Sequence, residues 1–182
     1  MTIETRTDDA ARTMWEGKYL SVRQQGSWEY AERRGGIDAA VIVALDGEGQ
    51  LILVEQYRIP IGRACLELPA GLVGDTKSGE SIADAARREL EEETGYHAAI
   101  VEERGQFYSS PGMTSEAFTL VVATGLTRTG DGGGDHDENI TVHRVPLDAV
   151  AGFVAEQRRA GMGIDAKLLL VLGGGLLDEL RD

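Results

Sequence analysis

Four glutamates, Glu89, Glu91, Glu92 and Glu93, fall within five positions near the end of one stretch, ELPAGLVGDTKSGESIADAARRELEEETGY, which runs from Glu67 to Tyr96. Carboxylates spaced i, i+3 and i+4 on a helix repel one another, and clustered, partly buried acids are costly unless a cation neutralises them. A ligand set built only from oxygen favours a hard ion, Mg2+ or Mn2+, over zinc. The helix alone leaves two readings open, a metal site or a solvated acidic helix end.

The element that must position these acids can be read from its ends and its period. Ser81 and Asp84 form an S-x-x-D capping signal, Ile82, Ala85, Ala86 and Leu90 recur at helical spacing, and Gly95 supplies a stop. Together they predict a helix over residues 82–94. With Ile82 at zero and roughly 100° per residue, the apolar residues fall near 0°, 300°, 40° and 80°, and Glu89, Glu93 and Glu92 near 340°, 20° and 280°. Three acids thus share or edge the core-facing arc, whereas Glu91, at about 180°, points to solvent.

The spacing Gly74-x5-Glu80-x7-Arg88-Glu89-Leu90-x-Glu92-Glu93-x-Gly95-Tyr96 resembles the signature of the Nudix hydrolases, G-x5-E-x7-R-E-U-x-E-E-x-G-U, with U a bulky apolar residue. Tyr96 stands where an aliphatic residue is usual. In relatives that read ELPAG and then a short turn, the PAG glycine opens the signature; here that is Gly71, with three extra residues before Glu80. Outside the signature, QYR, ELPAG and SSPGMTSE, with Pro111 at the matching spacing from Gly95, resemble the ADP-ribose pyrophosphatase branch of that family. The resemblance covers nearly the whole chain.

The resemblance implies an α/β fold, a Nudix-type α/β/α sandwich with a mixed sheet over residues 37–182, and a small N-terminal β-hairpin unit over residues 1–36. It implies Mg2+-dependent hydrolysis (Mn2+ being the alternative metal) of the diphosphate bond of ADP-ribose to AMP and ribose 5-phosphate. Another nucleotide sugar, such as GDP-mannose or ADP-glucose, and a non-catalytic nucleotide-binding module are the alternatives. Glu89 and Glu93 are the implied principal ligands, beside Glu92 and with the backbone carbonyl of Ala70. Glu80 serves either as a ligand or the helix macrodipole. Arg88 orients the glutamates by ion pairing. The base that activates water is Glu116, in PGMTSE, or Glu138, in the Asp-rich loop. Tyr19 and Trp28 match aromatics that sandwich adenine, Glu29 can accept from its amino group, and Arg58 and Arg33 are phosphate-binding arms. A homodimer in which the hairpin crosses to the other subunit is also implied.

Composition sets the remaining bounds. At 182 residues with 42% hydrophobic content the chain can bury one real core. A net charge of −13 with only three lysines argues against binding the phosphate backbone of nucleic acid or an anionic membrane surface. The single Cys65 excludes an internal disulfide framework, and no leader or apolar run of membrane length is evident, so a cytoplasmic setting is expected.

Along the chain, residues 1–14 read as polar and frayed. KYLSVR and SWEYAER form a hairpin too poor in apolar surface to stand alone. AAVIVAL and QLILVEQY read as strands buried on both faces. Further strands are expected over 98–108, 116–124 and Ile140–Val145. The Gly/Asp-rich segment TRTGDGGGDHDEN should be long, exposed and mobile, and Pro146–Arg159 and Ile164–Leu180 helical. The Gly173-Gly174-Gly175 triplet has no account at this level.

Overall fold

Runs of aliphatic residues make the central strands, and their alternation decides what covers each face. The structure, a computed structural model, describes residues 10–74, 79–134 and 139–173. In β4 (Asp38–Leu45), Val41, Val43 and Leu45 join one core with Leu51 and Leu53 of β5 (Gln50–Arg58) and Leu66 of β6 (Arg63–Glu67). The intervening Ala40, Ile42 and Ala44 join a second core with Ala86 and Leu90 of α1 (Ile82–Thr94). Successive side chains on a strand point to opposite faces, so a strand apolar at every position must be covered twice. The first core is closed by Val150 and Val154 of α2 (Val150–Arg159) and by Leu168 and Val171 of α3 (Ala166–Gly173). Helices on both faces of a sheet give the expected α/β/α layers.

The remaining strands of this sheet are β7 (Ala70–Val73), β8 (Tyr96–Tyr108), β9 (Ala117–Arg128), β10 (Thr141–Pro146) and β11 (Gly163–Ile164). Its order among the described residues is β11-β6-β5-β4-β9-β8, with β10 beside β5 and β7 beside β4. The sheet is mixed, because β4 runs parallel to β9 and β11 parallel to β6, while the other pairs are antiparallel.

One departure from a regular sheet matters most. β4 pairs with β5 only at Ala44–Ile52 and Leu45–Leu51, whereas its first half, Asp38 to Val41, pairs with β7. The Ile42 amide donates to the Pro69 carbonyl at 2.8 Å. The LPAG turn therefore wedges between β4 and β5, and the opening it makes is where the chemistry-bearing residues gather.

The expected N-terminal hairpin is present as β2 (Leu20–Gln25) and β3 (Trp28–Arg33), but β1 (Arg12–Glu16) adds a third antiparallel strand from residues expected to fray. This small sheet docks on its own chain: the Ala31 amide donates to Met113 at 2.9 Å and the Ser115 amide to Ala31 at 3.1 Å.

Two further expectations are corrected. The described part of the Gly/Asp-rich segment is anchored, since the amides of Gly133 and Gly134 donate to the carbonyls of Glu93 and Glu92 at 2.9 and 3.0 Å. The last carbonyls of a helix lack intrahelical partners, and this loop supplies them. A Cβ on Gly132 would lie 2.4 Å from the Thr94 carbonyl carbon, so only glycine permits the approach. Secondly, Pro146 ends β10 opposite Gln50 rather than starting a helix, and Gly163–Ile164 adds a strand to β6 before α3 begins. Glu138 and the last two glycines of the triplet lie outside the described residues.

Candidate active site

α1 is held at both ends by the residues that predicted it. The Ser81 hydroxyl accepts from the Asp84 amide at 3.1 Å, and Gly95, at φ 74°, donates its amide to Glu91 at 2.9 Å. Ala85, Ala86 and Leu90 are buried, and the small alanines bring the helix close to Ala40, Ala44, Ala98 and Ala123 of the sheet. This seating turns Glu89 and Glu93 toward β7, while Glu91 is exposed beside His97. The Thr129 hydroxyl and His97 hold the Glu91 carboxyl below its ordinary range.

Glu93 is only 5% exposed, and its Oε2 accepts from the Ala70 amide at 3.2 Å. Ala70 thus meets the acid through its N–H. A Cβ on Gly71 would fall 1.9 Å from Glu89 Cδ. The missing side chain at 71 is the space the Glu89 carboxylate occupies, which ties the PAG glycine directly to the acid helix.

Arg88 pairs with several of these acids. Its Nε and Nη2 donate to the two Glu80 oxygens at 3.2 and 3.1 Å, its Nη1 to Glu89 at 2.9 Å and Glu92 at 3.1 Å, and its Nη2 also to the Leu72 carbonyl at 3.2 Å. The Glu80 hydrogen bonds foremost, outweighing burial and helped by Glu89, push the guanidinium further above its ordinary value. Glu80 is thereby the bidentate anchor of Arg88.

Among the described residues no three acidic, histidine or cysteine side chains stand already arranged around a common cation position. Glu89 and Glu92 are turned to Arg88, and Glu93 to the Ala70 amide. The donor chemistry nevertheless fits a hard divalent cation. Glu89 and Glu93 stand one turn apart on one face, offer only carboxylate oxygen, and open onto a cleft.

That cleft, of about 800 Å³, lies where the sheet opens. A volume of roughly 300–1,000 Å³ suits a small-molecule site. Glu89, Glu92, Glu93, Arg88 and Gly71 form one wall, and Gln56, Arg58, Cys65 and Glu67 come from β5 and β6. Arg33, Ser109, Glu116 and Phe118 stand elsewhere around it, and Ile61, Ile164, Asp165 and Lys167 close another part.

Arg58 is clamped by Glu67, with Nε to Oε1 at 2.6 Å and Nη2 to Oε2 at 2.7 Å, and this pairing raises the Arg58 pKa. Glu67 itself is buried. Sequence reasoning assigned Glu67 no role, although an acid flanked by leucines in LEL was a signal that it needed a partner. Burial first, and then Glu67, pushes the Cys65 thiol up to about 11.

Arg33 and Glu116 are each other's partners: Nε and Nη2 of Arg33 donate to Glu116 Oε1 at 3.1 and 2.6 Å. The pair also borders a second, polar cavity of about 600 Å³ beside the N-terminal sheet. Tyr19, Trp28 and Glu29 do not line the cleft of their own chain. Tyr19 and Trp28 stand 65% and 62% exposed, with Lys18 Nζ 4.7 Å from the Tyr19 ring centre.

A mixed sheet between helices, opened by a PAG turn that faces an R-E-L-x-E-E helix, defines the class. The chain belongs to the NUDIX domain family, whose model matches residues 36–163. Hydrolases of this family generally use divalent metal ions. Among similar proteins is the methanol dehydrogenase activator of Bacillus methanolicus, 36% identical over 66% of this chain and 64% of that protein. The ADP-ribose pyrophosphatase of Bacillus subtilis is 37% identical over 60% of this chain and 58% of its own length. The matches thus span less than two thirds of either relative. A crystal structure of an ADP compounds hydrolase shares the fold, with a TM-score of 0.64 and 24% identity over 79% of this chain and 80% of that one.

Proposed function

We propose that this protein hydrolyses the diphosphate bond of a nucleoside diphosphate sugar, with ADP-ribose the first candidate, releasing AMP and ribose 5-phosphate. The observation that carries the reading is the composition of the cleft. The helix acids Glu89 and Glu93 share it with the cation arms Arg58 and Arg33, which is what a metal-bound diphosphate requires. The Bacillus subtilis relative named ADP-ribose pyrophosphatase supports the same substrate class.

Glu89 and Glu93 would hold the cation, Mg2+ or Mn2+, with Glu92 at the rim. When bound it would neutralise phosphate charge and lower the pKa of a water. Arg88, anchored by Glu80, keeps the acids in register. Arg58, fixed in direction by Glu67, presents its remaining N–H groups to phosphate oxygen. A phosphate that draws Arg33 away would free Glu116 to take the proton as water oxygen attacks phosphorus and the bridging P–O bond breaks. Glu138 is the alternative base.

Tyr19, Trp28 and Glu29 lie outside the cleft of their own chain and on an exposed sheet. A homodimer in which residues 1–36 act as a separate unit and reach a second copy would bring an adenine clamp to the cleft. The same observation favours a second reading, another nucleotide sugar such as GDP-mannose or ADP-glucose, because no aromatic of the N-terminal sheet reads the base in the chain's own cleft. No helix among the described residues is long and apolar enough to cross a membrane. With one buried free cysteine, a reducing cytoplasm is the proposed setting.

The test is to incubate the purified protein with Mg2+ and a panel of nucleotide sugars beside the Glu93→Gln variant. Turnover by the parent and its loss in the variant is expected; no turnover of any diphosphate would overturn the enzyme reading. Sedimentation as a monomer during turnover would overturn the shared clamp.

A further inference from the structure

Gln56 lies on β5 between Val54 and Arg58 on one face of the strand, opposite Cys65 of β6. It is only 8% exposed and lines the cleft, yet among the described residues its carboxamide makes no hydrogen bond. The residue as a whole is mostly buried, but its carboxamide atoms reach the cleft and meet no protein group there, so the place for a partner is the cleft itself. Its polar neighbours do not supply one. Arg58 and Glu67 satisfy each other through two bonds, and Lys167 donates to Asp165 further along the same cleft. The carboxamide atoms are not sealed in the interior either, since Arg23 Nε is the only buried side-chain polar atom left without a partner among the described residues. The group is held on the cleft surface, ready for something that enters.

Its chemistry narrows what that is. A carboxamide offers one acceptor oxygen and two N–H donors, whereas a phosphate at neutral pH chiefly accepts and would use only the N–H half. A hydroxyl donates and accepts, and so uses both. The cleft already has guanidinium arms suited to phosphate at Arg58 and Arg33. We propose that Gln56 is a specificity-determining residue that hydrogen-bonds a hydroxyl of the sugar beyond the diphosphate. The inference rests on reading the cleft as a nucleotide-sugar site, and it adds the residue that distinguishes a sugar from any other group esterified to the second phosphate.

The experiment compares the full-length protein with Gln56→Leu, which keeps the side-chain volume and removes both hydrogen-bonding functions. Two ligands are used: ADP-ribose, and the methyl ester of ADP, which has the same adenosine and diphosphate but no sugar. Gln56→Leu should leave the melting temperature at or above that of the parent, because no intramolecular hydrogen bond is lost. It should lower kcat/KM for ADP-ribose by about ten-fold or more while leaving the methyl ester within about two-fold. Calorimetric titration of both ligands in the presence of a chelator should show the same selective loss in Kd.

An equal loss on the two ligands would place Gln56 on the diphosphate or in the scaffold and overturn the proposal. So would no loss on either, or a lowered melting temperature accompanied by equal losses. If the parent binds ADP-ribose without hydrolysing it, the catalytic reading fails while the calorimetric comparison still decides the role of Gln56. If the parent binds neither ligand, both readings fall together.

Discussion

Gly71→Ala isolates the tie between the PAG turn and the acid helix. An added Cβ would stand 1.9 Å from Cδ, 2.1 Å from Cγ and 2.3 Å from Oε1 of Glu89, where ordinary contact begins at 3.4 Å. The carboxylate must therefore retreat by about 1.5 Å, and misplacing a catalytic group by about 1 Å can cost on the order of 100-fold in rate. The backbone itself raises no objection. Gly71 pairs with Ala40 as an ordinary strand residue and is not among the positive-φ glycines. Alanine there even gains roughly 0.4–1 kcal/mol by restricting the unfolded chain, which can offset part of the crowding. The expected result is a drop in kcat of about 100-fold with a melting temperature close to the parent's. Initial rates of ADP-ribose hydrolysis at saturating substrate over a Mg2+ titration, beside a thermal melt, measure both. A parental kcat at parental metal dependence would refute the reasoning. So would additive losses in the double variant with Glu89→Gln, because an effect transmitted through Glu89 should vanish once that carboxylate is gone.

Three further outcomes follow from particular contacts. Gly132→Ala, at φ 67° with its Cβ 2.4 Å from Thr94, should cost about 2 kcal/mol in a urea titration; Gly130→Ala, whose Cβ meets nothing within 4 Å, should stay within about 0.5 kcal/mol. Equal effects would contradict a glycine clasp on the C-terminus of α1. Arg58→Lys, which cannot reproduce the two-pronged hold on Glu67, should raise KM about ten-fold or more with a smaller change in kcat, and unchanged steady-state kinetics would overturn the proposal that Arg58 binds phosphate. The Cys65 thiol is raised from an ordinary 9.0 to about 11, so folding favours the protonated form. Its contribution to stability is fully present below 9.0 and is lost as pH rises through about 11. Urea midpoints measured from pH 8 to 11 should fall less steeply in Cys65→Ala than in the parent; parallel curves would count against a buried neutral thiol.

The residues that announced themselves in the sequence are those whose signals are local. Ser81, the apolar positions of α1 and Gly95 bounded the helix as it is found, because capping and a 3.6-residue period depend only on neighbours along the chain. The same wheel placed Glu89 and Glu93 toward the core and Glu91 toward solvent. The central strands were legible for a similar reason: an unbroken aliphatic run such as AVIVAL admits little except a strand covered on both faces. Short strands were not legible. β7 and β11 carry no alternation long enough to read, and they exist because β4 and β6 offer them open edges.

Partner choice belongs to the tertiary structure. The sequence presents Arg33, Arg58 and Arg88 as similar cations among many acids, and nothing local says that the first meets Glu116, 83 residues away, the second Glu67 and the third Glu80. The LPAG wedge decides it by prising β4 from β5, which sets Gly71 against Glu89 and opens the floor that carries Gln56 and Arg58. The glycines after Thr129 read as loose from composition, yet they close on the carbonyls of Glu92 and Glu93 once β9 returns the chain to the end of α1. Helix period and capping act over a few residues and are written in order along the chain. Ion pairs and glycine contacts act through space, so they appear only after the strands have chosen their neighbours.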